Sequence, residues 1–362
     1  MRIEKITLIQ LKVPLIRPFQ TGHGVLTEKE FILLKISSEG LTGWGEASPE
    51  TVPFQDIVLD YKRNLIPFAL QTPFEKIDDF SSRLSVMKAG PEARAGLEMA
   101  VWDLLARKEG QPLFRFLSGR RFQPVRTARI LDLKDEAASL QAVENLKKAG
   151  HEEVVLKVTP GTVDALVALF EKSRAGIAFI LDAEGTFSKE NIGLLEKLKK
   201  YFTKFLVDPF PPEKWEEIAS VGNTLNIPVA LKDAVTDVLQ LEKIVKSRFI
   251  NLVCIDPWRV GGLSAARRYL EMAAGNSKPG CVVSQFHLGL GTAQALALGP
   301  VQTEALPVLM TRPEEIFVED GLMDALKIQS DGTVKLPDEP GTGAEVDENR
   351  LTHFKILEEE YW

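Results

Sequence analysis

The chain has 362 residues, 44% of them hydrophobic and 26% charged, with a formal net charge of −7. That length suits one large domain plus a smaller one with a sizeable core. The acidic balance argues against nucleic acid or an anionic membrane as partner. No stretch is apolar enough to span a bilayer, and the start lacks a signal-peptide core, so a cytoplasmic protein is expected.

Residues 1–41 read as antiparallel strands, with an Ile/Leu/Val-rich run over 3–14 and a second run over 31–37. Between them lies Pro18-Phe19-Gln20-Thr21-Gly22-His23-Gly24, whose two glycines beside polar and aromatic side chains suggest a mobile loop, while composition alone favours an exposed hairpin connection. Gly43-Trp44-Gly45-Glu46 follows a strand, and its glycines permit close backbone approach. Residues 51–85 look helical with proline interruptions, and 92–108 has the apolar spacing of a helix with a broad buried face.

From Val125 the texture changes to strand, turn and helix in alternation. Residues 125–131 form a first strand and 136–148 its helix, closed by Gly150. Then five short apolar runs end in polar or turn-like clusters at Lys157, Asp182, Val207, Lys232 and Asp256, in steps of 25, 25, 25 and 24 residues. Helix-like segments at 162–173, 189–201 and 235–247 lie between them. This is the beat of a βα unit, and polar residues at the carboxyl ends of such strands converge on one mouth. Further on come a helix over 263–274, a strand over 281–285, a helix over 292–298 and a short strand over 305–310. Cys254 and Cys281 sit inside apolar runs and read as buried thiols. The tail loses the beat, turns at Asp331-Gly332 and Pro340-Gly341, and has strand character that pairs most naturally with the N-terminal strands.

Several motifs in this order carry a resemblance. They are Gly43-Trp44-Gly45-Glu46, the helix text Leu97-Glu98-Met99-Ala100-Val101-Trp102-Asp103, Lys157-Val158-Thr159-Pro160-Gly161, Leu181-Asp182-Ala183, Val207-Asp208-Pro209, Arg259-Val260-Gly261-Gly262 and Gly289-Leu290-Gly291. The chain resembles the enolase superfamily, in the muconate-lactonizing branch, nearest to o-succinylbenzoate synthases and N-succinylamino acid racemases. The likeness implies an α/β fold: a modified (β/α)7β TIM-type barrel over 125–312 under an α+β capping domain built from 1–124 and 313–362. It also implies abstraction of a proton next to a carboxylate, with Mg²⁺ stabilising the dianion that forms. Phe19, Thr21 and His23 would then belong to a cap loop that screens a small carboxylate substrate, and a homo-oligomer is compatible.

Residue by residue, the chain departs from that pattern. Such relatives place lysines on the second and sixth strands and three metal-binding carboxylates on strands three to five. Lys157 and Asp182 keep the second-strand base and third-strand ligand positions; the fourth ligand position is Val207, the fifth Lys232, the sixth-strand lysine Asp256 and the seventh-strand acid His287. A divalent ion beside Lys232 would feel about 8 kcal/mol of repulsion at ~4 Å and an effective dielectric near 20. No metal cofactor is therefore expected, with the Lys232 ammonium in the ion's place, paired to Asp182 or Asp256. Metal-free acid–base chemistry would fall to Lys157 and Asp256, and His287 would offer a ligand-binding donor; the structural alternatives are a barrel-mouth ion pair for Lys157, a turn at Asp256-Pro257 and a satisfied packing histidine at 287. A rival register holds Mg²⁺ with Asp182, Asp208 and Asp233; strand parity points the last two, Asp208 and Asp233, away from the mouth unless a bulge re-aims them. A non-catalytic binding or assembly protein is a third possibility.

Overall fold

The computed structural model describes the chain apart from residues 121–123, 133–135, 174–175, 202, 303–305 and 325. Eight parallel strands make a closed barrel: β4 (Val125–Leu131), β5 (Glu153–Lys157), β6 (Ala178–Asp182), β7 (Thr203–Val207), β8 (Val229–Leu231), β9 (Leu252–Ile255), β10 (Gly280–Ser284) and β11 (Val308–Met310). Pairing of Val308 with Thr127 joins β11 to β4 and closes the ring. Inward-facing Ala128, Ile130, Val155, Ile180, Phe205, Val207, Ala230 and Val283 fill the interior, as the period-2 alternation of buried strands requires. Cys254 and Cys281, opposite each other on β9 and β10, are both buried there, with sulfurs 3.4 Å apart.

The cap is a four-stranded antiparallel sheet built from both ends of the chain. It consists of β1 (Lys5–Thr21), β2 (Gly24–Ser38), β3 (Leu41–Ala47) and β13 (Lys355–Tyr361), in the order β13-β1-β2-β3. The tail divides its loyalties: β12 (Thr333–Val334) pairs with barrel strand β4, whereas β13 pairs with β1. Residues 18–24 are not a free loop. Phe19, Gln20 and Thr21 pair with Leu26, Val25 and Gly24, so they form the tip of a long two-stranded arm.

The Pro91–Lys108 helix is the seam between cap and barrel. Its buried acids serve backbone: Asp103 accepts from Trp44 N (2.9 Å) and Thr342 N (2.7 Å), and Glu98 from Leu263 N (2.6 Å). Glu46, on β3, performs the second join. Its Oε1 accepts from Leu288 N (3.0 Å) and its Oε2 from Gly291 N (2.9 Å), at the start of the Gly289–Leu296 helix. A carboxylate there suits the positive end of the helix dipole, and this helix begins three residues earlier than its sequence pattern predicts.

Other differences have local causes. The segment expected to be a helix over 189–201 is a 3₁₀ turn, Ile192–Leu198. Asn191 Oδ1 accepts from Ser188 N at 2.8 Å, a local bond that competes with helix entry. The helix expected from 235 begins at Val238 because Asp237 caps it, accepting from Leu239 N and Gln240 N, both at 2.9 Å. Of the last strand expected over 305–310, Ala305 lies outside the described residues. Among the described residues no helix is long and apolar enough to cross a membrane.

Gly45 sits so close to the seam helix that a Cβ would collide with the Gly96 carbonyl and the Ala100 amide. Gly45→Ala should destabilise the protein by about 3 kcal/mol, the upper end of overpacking costs. Gly193→Ala, which meets nothing, should be close to neutral. Urea midpoints of the two variants check this.

Candidate functional site at the barrel mouth

Lys157 and Asp182 end neighbouring strands and are register partners, so both side chains leave the barrel on the same side. Lys157 Nζ donates to Asp182 Oδ2 (2.8 Å), Glu184 Oε1 (2.7 Å) and Gln285 Oε1 (3.0 Å), which uses all three of its hydrogens. Lys232 Nζ approaches the same Asp182 oxygen at 3.3 Å, and Gln285 Nε2 donates to it at 3.2 Å. Of the two partners expected for Lys232, the structure selects Asp182. Burial alone would raise the Asp182 pKa, but Lys157 and Lys232 hold it well below the usual carboxylate range. Burial would likewise lower Lys232; Asp182, Asp233 and Asp208 outweigh it and push the ammonium well above its ordinary value.

Asp208 and Asp233 do not obey strand parity, contrary to the sequence expectation. The chain turns left-handed at Asp208 (φ 43°) as soon as β7 ends, which swings its carboxylate across to the end of β8. There Oδ1 accepts from Lys232 N (2.9 Å) and Oδ2 from Asp233 N (3.1 Å). Burial, then the nearby Asp233 charge, raises Asp208 to about 7. Asp233 lies two residues beyond the end of β8, so alternation no longer governs it. Its Oδ1 is 3.8 Å from Lys232 Nζ and 3.1 Å from a guanidinium nitrogen of Arg259.

Asp256 caps the Pro257–Val260 turn of helix, accepting from Trp258 N at 2.9 Å and Arg259 N at 3.4 Å. Burial, with the adjacent Glu50 carboxylate, pushes it up to about 6. His287 is fully buried. Its ring stacks on Trp258 at 3.4 Å between centroids, Nδ1 meets Glu46 Oε1 at 3.1 Å, and Nε2 points toward Glu50 Oε1 at 4.0 Å.

Between this mouth and the cap lies a cavity of about 470 Å³. Lys232, Asp233, Asp256 and Glu184 line it from the barrel, and Thr21, His23 and Lys29 from the cap arm. Gly22 N donates to Glu184 Oε2, which latches the arm's tip to the mouth. Thr21 and His23 therefore face the cavity as expected. Phe19 does not line it: it is buried edge-on against Phe286, with centroids 4.9 Å apart, and props the arm. Nor does His287 line it, being withdrawn behind Glu50.

These side chains do not fit a divalent cation. Mg²⁺ needs carboxylate oxygens free at about 2.1 Å in octahedral array. Asp182 Oδ2 is already shared by two ammonium groups, and both Asp208 oxygens are occupied by backbone amides. Among the described residues no group of three His, Cys, Asp or Glu is placed to hold an ion.

Four mouth residues escaped the sequence reading. Glu184 and Gln285 hold Lys157, Glu50 pairs with Lys29 at 2.5 Å, and Arg259 pairs with Asp233. Glu184 directly follows the Leu181-Asp182-Ala183 motif and precedes Gly185, which was the available signal. Its inward turn depends on a left-handed φ of 47°, for which the sequence carries no other cue.

Comparison with known proteins agrees with this architecture. Residues 4–118 match the N-terminal domain model of mandelate racemase and muconate lactonizing enzyme, and 137–350 match the enolase C-terminal domain-like model. An o-succinylbenzoate synthase of Listeria innocua is 27% identical over 99% of this chain and 98% of its own. An N-succinylamino acid racemase of Thermus thermophilus is 26% identical over 95% and 94%. The crystal structure of an enolase superfamily member from Listeria innocua superposes with a TM-score of 0.88 at 25% identity, covering 99% of both chains. The chain belongs to the enolase superfamily, in its mandelate racemase and muconate lactonizing enzyme branch, and is similar to o-succinylbenzoate synthases and N-succinylamino acid racemases.

Proposed function

We propose that this is an o-succinylbenzoate-synthase-like and N-succinylamino-acid-racemase-like barrel that binds a small carboxylate-bearing ligand under its cap without a divalent ion. The Lys232 ammonium does the electrostatic work assigned to the metal elsewhere in the branch. The observation that carries this reading is the shared oxygen: Asp182 Oδ2 lies 2.8 Å from Lys157 Nζ and 3.3 Å from Lys232 Nζ. An ion in that place would have to displace a buried ammonium and then sit beside it. Lys157 has no lone pair for a substrate proton while three acceptors hold its hydrogens, so the metal-assisted proton abstraction of the branch is lost or replaced. Asp256 is the acid at the sixth-strand position that faces the cavity.

Three acids near one point support a second reading. Removing Lys232 would take away the ammonium that Asp182 and Asp233 share, with Asp208 close by. A latent metal site of this kind makes the substitution testable in both directions.

The wild-type melting temperature should be the same in excess Mg²⁺ or Mn²⁺ as in a chelator, because binding only to the native state would raise it. Solvent deuterium exchange at the α-carbon of N-succinylamino acids, and dehydration to o-succinylbenzoate, should show no chelator-sensitive turnover. Chelator-sensitive turnover would overturn the reading and make Asp182, Asp208 and Asp233 working ligands. Lys232→Asp should gain Mn²⁺ affinity measurable by titration calorimetry or paramagnetic relaxation. Lys232→Met should not gain it, and should cost about 3 kcal/mol because one partner of a buried pair is removed.

A further inference from the structure

A second cavity, of about 420 Å³, lies outside the barrel wall between β4 and the Glu136–Lys148 helix. Ala128 and Ile130 of β4 point into the barrel, so alternation sends Arg129 and Leu131 to the outer side. Ala138, Ala142 and Asn145 face them from the helix, at the spacing of one helical face, and the two alanines leave room for an arginine there.

Three guanidinium groups reach this space from three parts of the fold. Arg129 comes from β4, and Arg312 from just beyond β11. Arg17 comes from the cap strand β1, which is brought here by the bridge between Leu15 and Phe317. Their partners are few. Glu315 Oε2 is paired with Arg129, but Glu315 Oε1 stands 3.6 Å from Arg312, which is beyond hydrogen bonding. Arg312 Nη2 leans instead on His151 Nε2 at 3.4 Å. A guanidinium can only donate, so the buried imidazole accepts there and brings no negative charge. Burial, Arg312 and Arg129 hold His151 below its ordinary pKa, which keeps it neutral. Arg17 makes no ion pair among the described residues, and neither does Asp132, whose carboxylate also lines the cavity. Burial and the Arg312 and Arg17 charges lower Arg129 to about 10, with Glu314 opposing them. Each guanidinium carries five N–H donors, and most of these have no acceptor among the described residues.

We propose that this outer cavity, where Arg17, Arg129 and Arg312 converge, binds a tetrahedral phosphate-type dianion, either free or as the end of a small phosphate ester. Forks arriving from three sides suit an anion with oxygens in more than one plane. A carboxylate offers two oxygens in a single plane and would leave one arginine unmatched. Leu131, Leu146 and Leu156 line the rest of the space and admit a short carbon chain. The bound anion would join the cap arm to the barrel, since Arg17 belongs to the first and Arg129 and Arg312 to the second.

Calorimetric titration of the full-length protein, at constant ionic strength and in mildly alkaline buffer where phosphate is a dianion, tests this. Inorganic phosphate should bind at one saturable site, and succinate at the same saturating concentration should not displace it. Tighter binding of glycerol 3-phosphate identifies an ester as the occupant, and tighter binding of inorganic phosphate a free ion. Arg17→Gln and Arg312→Gln should each weaken phosphate about tenfold or more, as loss of charge-assisted hydrogen bonds requires. Asp132→Asn should tighten it roughly threefold by removing a like charge. Lys148→Gln, at an exposed lysine of the same helix that does not line the cavity, should change it by less than about twofold. A cooperative melt confirms that each variant is folded. Tungstate, a heavy tetrahedral dianion, soaked into crystals should give its strongest anomalous peak among the three arginines. No saturable phosphate binding, an affinity indifferent to Arg17→Gln and Arg312→Gln, or a tungstate peak at the barrel mouth overturns the inference and leaves the metal-free reading of the mouth standing.

Discussion

Everything at the mouth depends on one carboxylate oxygen held between two ammonium groups. Asp182 Oδ2 takes Lys157 from the strand before it and Lys232 from two strands beyond. Each charge is costly to bury alone, because leaving water costs several kcal/mol that only close opposite charge can offset. Two lysines against one aspartate would leave a net positive charge, and the structure supplies the balance nearby: Glu184 on Lys157, and Asp233 at 3.8 Å from Lys232. The network therefore extends outward from Asp182 until it reaches Arg259 and the rim. A divalent cation could not be added without undoing this chain of pairs.

The cap depends on a related economy of acids. Glu46, Glu98 and Asp103 are all buried, and each spends its oxygens on backbone amides of another segment. Carboxylates so used join elements through backbone as well as through side chains (Arg107 on Asp103, Ser81 on Glu98, His287 beside Glu46), and they fix the cap's distance from the barrel to within a hydrogen-bond length. That distance sets the roof of the cavity. Glu184 contributes at the opposite rim, where one oxygen holds Lys157 and the other accepts from Gly22 at the tip of the cap arm. The ion network and the arm's closed position are thus coupled through a single residue.

The parts of this arrangement that follow strand periodicity were legible in the chain. A beat of about 25 residues put Lys157, Asp182, Val207, Lys232 and Asp256 at successive strand ends, and the structure finds them there. Alternation put Lys157 and Asp182 on one side together. It failed at Asp208 and Asp233, because alternation holds only while the backbone remains extended. At Asp208 the chain leaves the strand in a left-handed turn, and a non-glycine residue gives little sign of that in advance. His287 was legible either as a ligand donor near the mouth or as a packed histidine, and the structure has it packed. The group that buries it, Glu46, is 241 residues away in sequence and belongs to the other sheet.

Three corners of the mouth share that left-handed geometry: Glu184 (φ 47°), Asp208 (φ 43°) and Phe286 (φ 55°). Each non-glycine residue there costs roughly 1 kcal/mol or more, so the surroundings must hold it in place. The restraints are visible. Glu184 is tied to Lys157, Asp208 to two amides of the next strand end, and Phe286 to Phe19 through its ring and to Thr311 Oγ1 through its amide at 2.8 Å. All three turns do the same thing, bending a side chain inward or upward where a regular strand would have sent it elsewhere. Strain is thus concentrated where the barrel meets its cap, and it serves to position charge and the arm's aromatic prop.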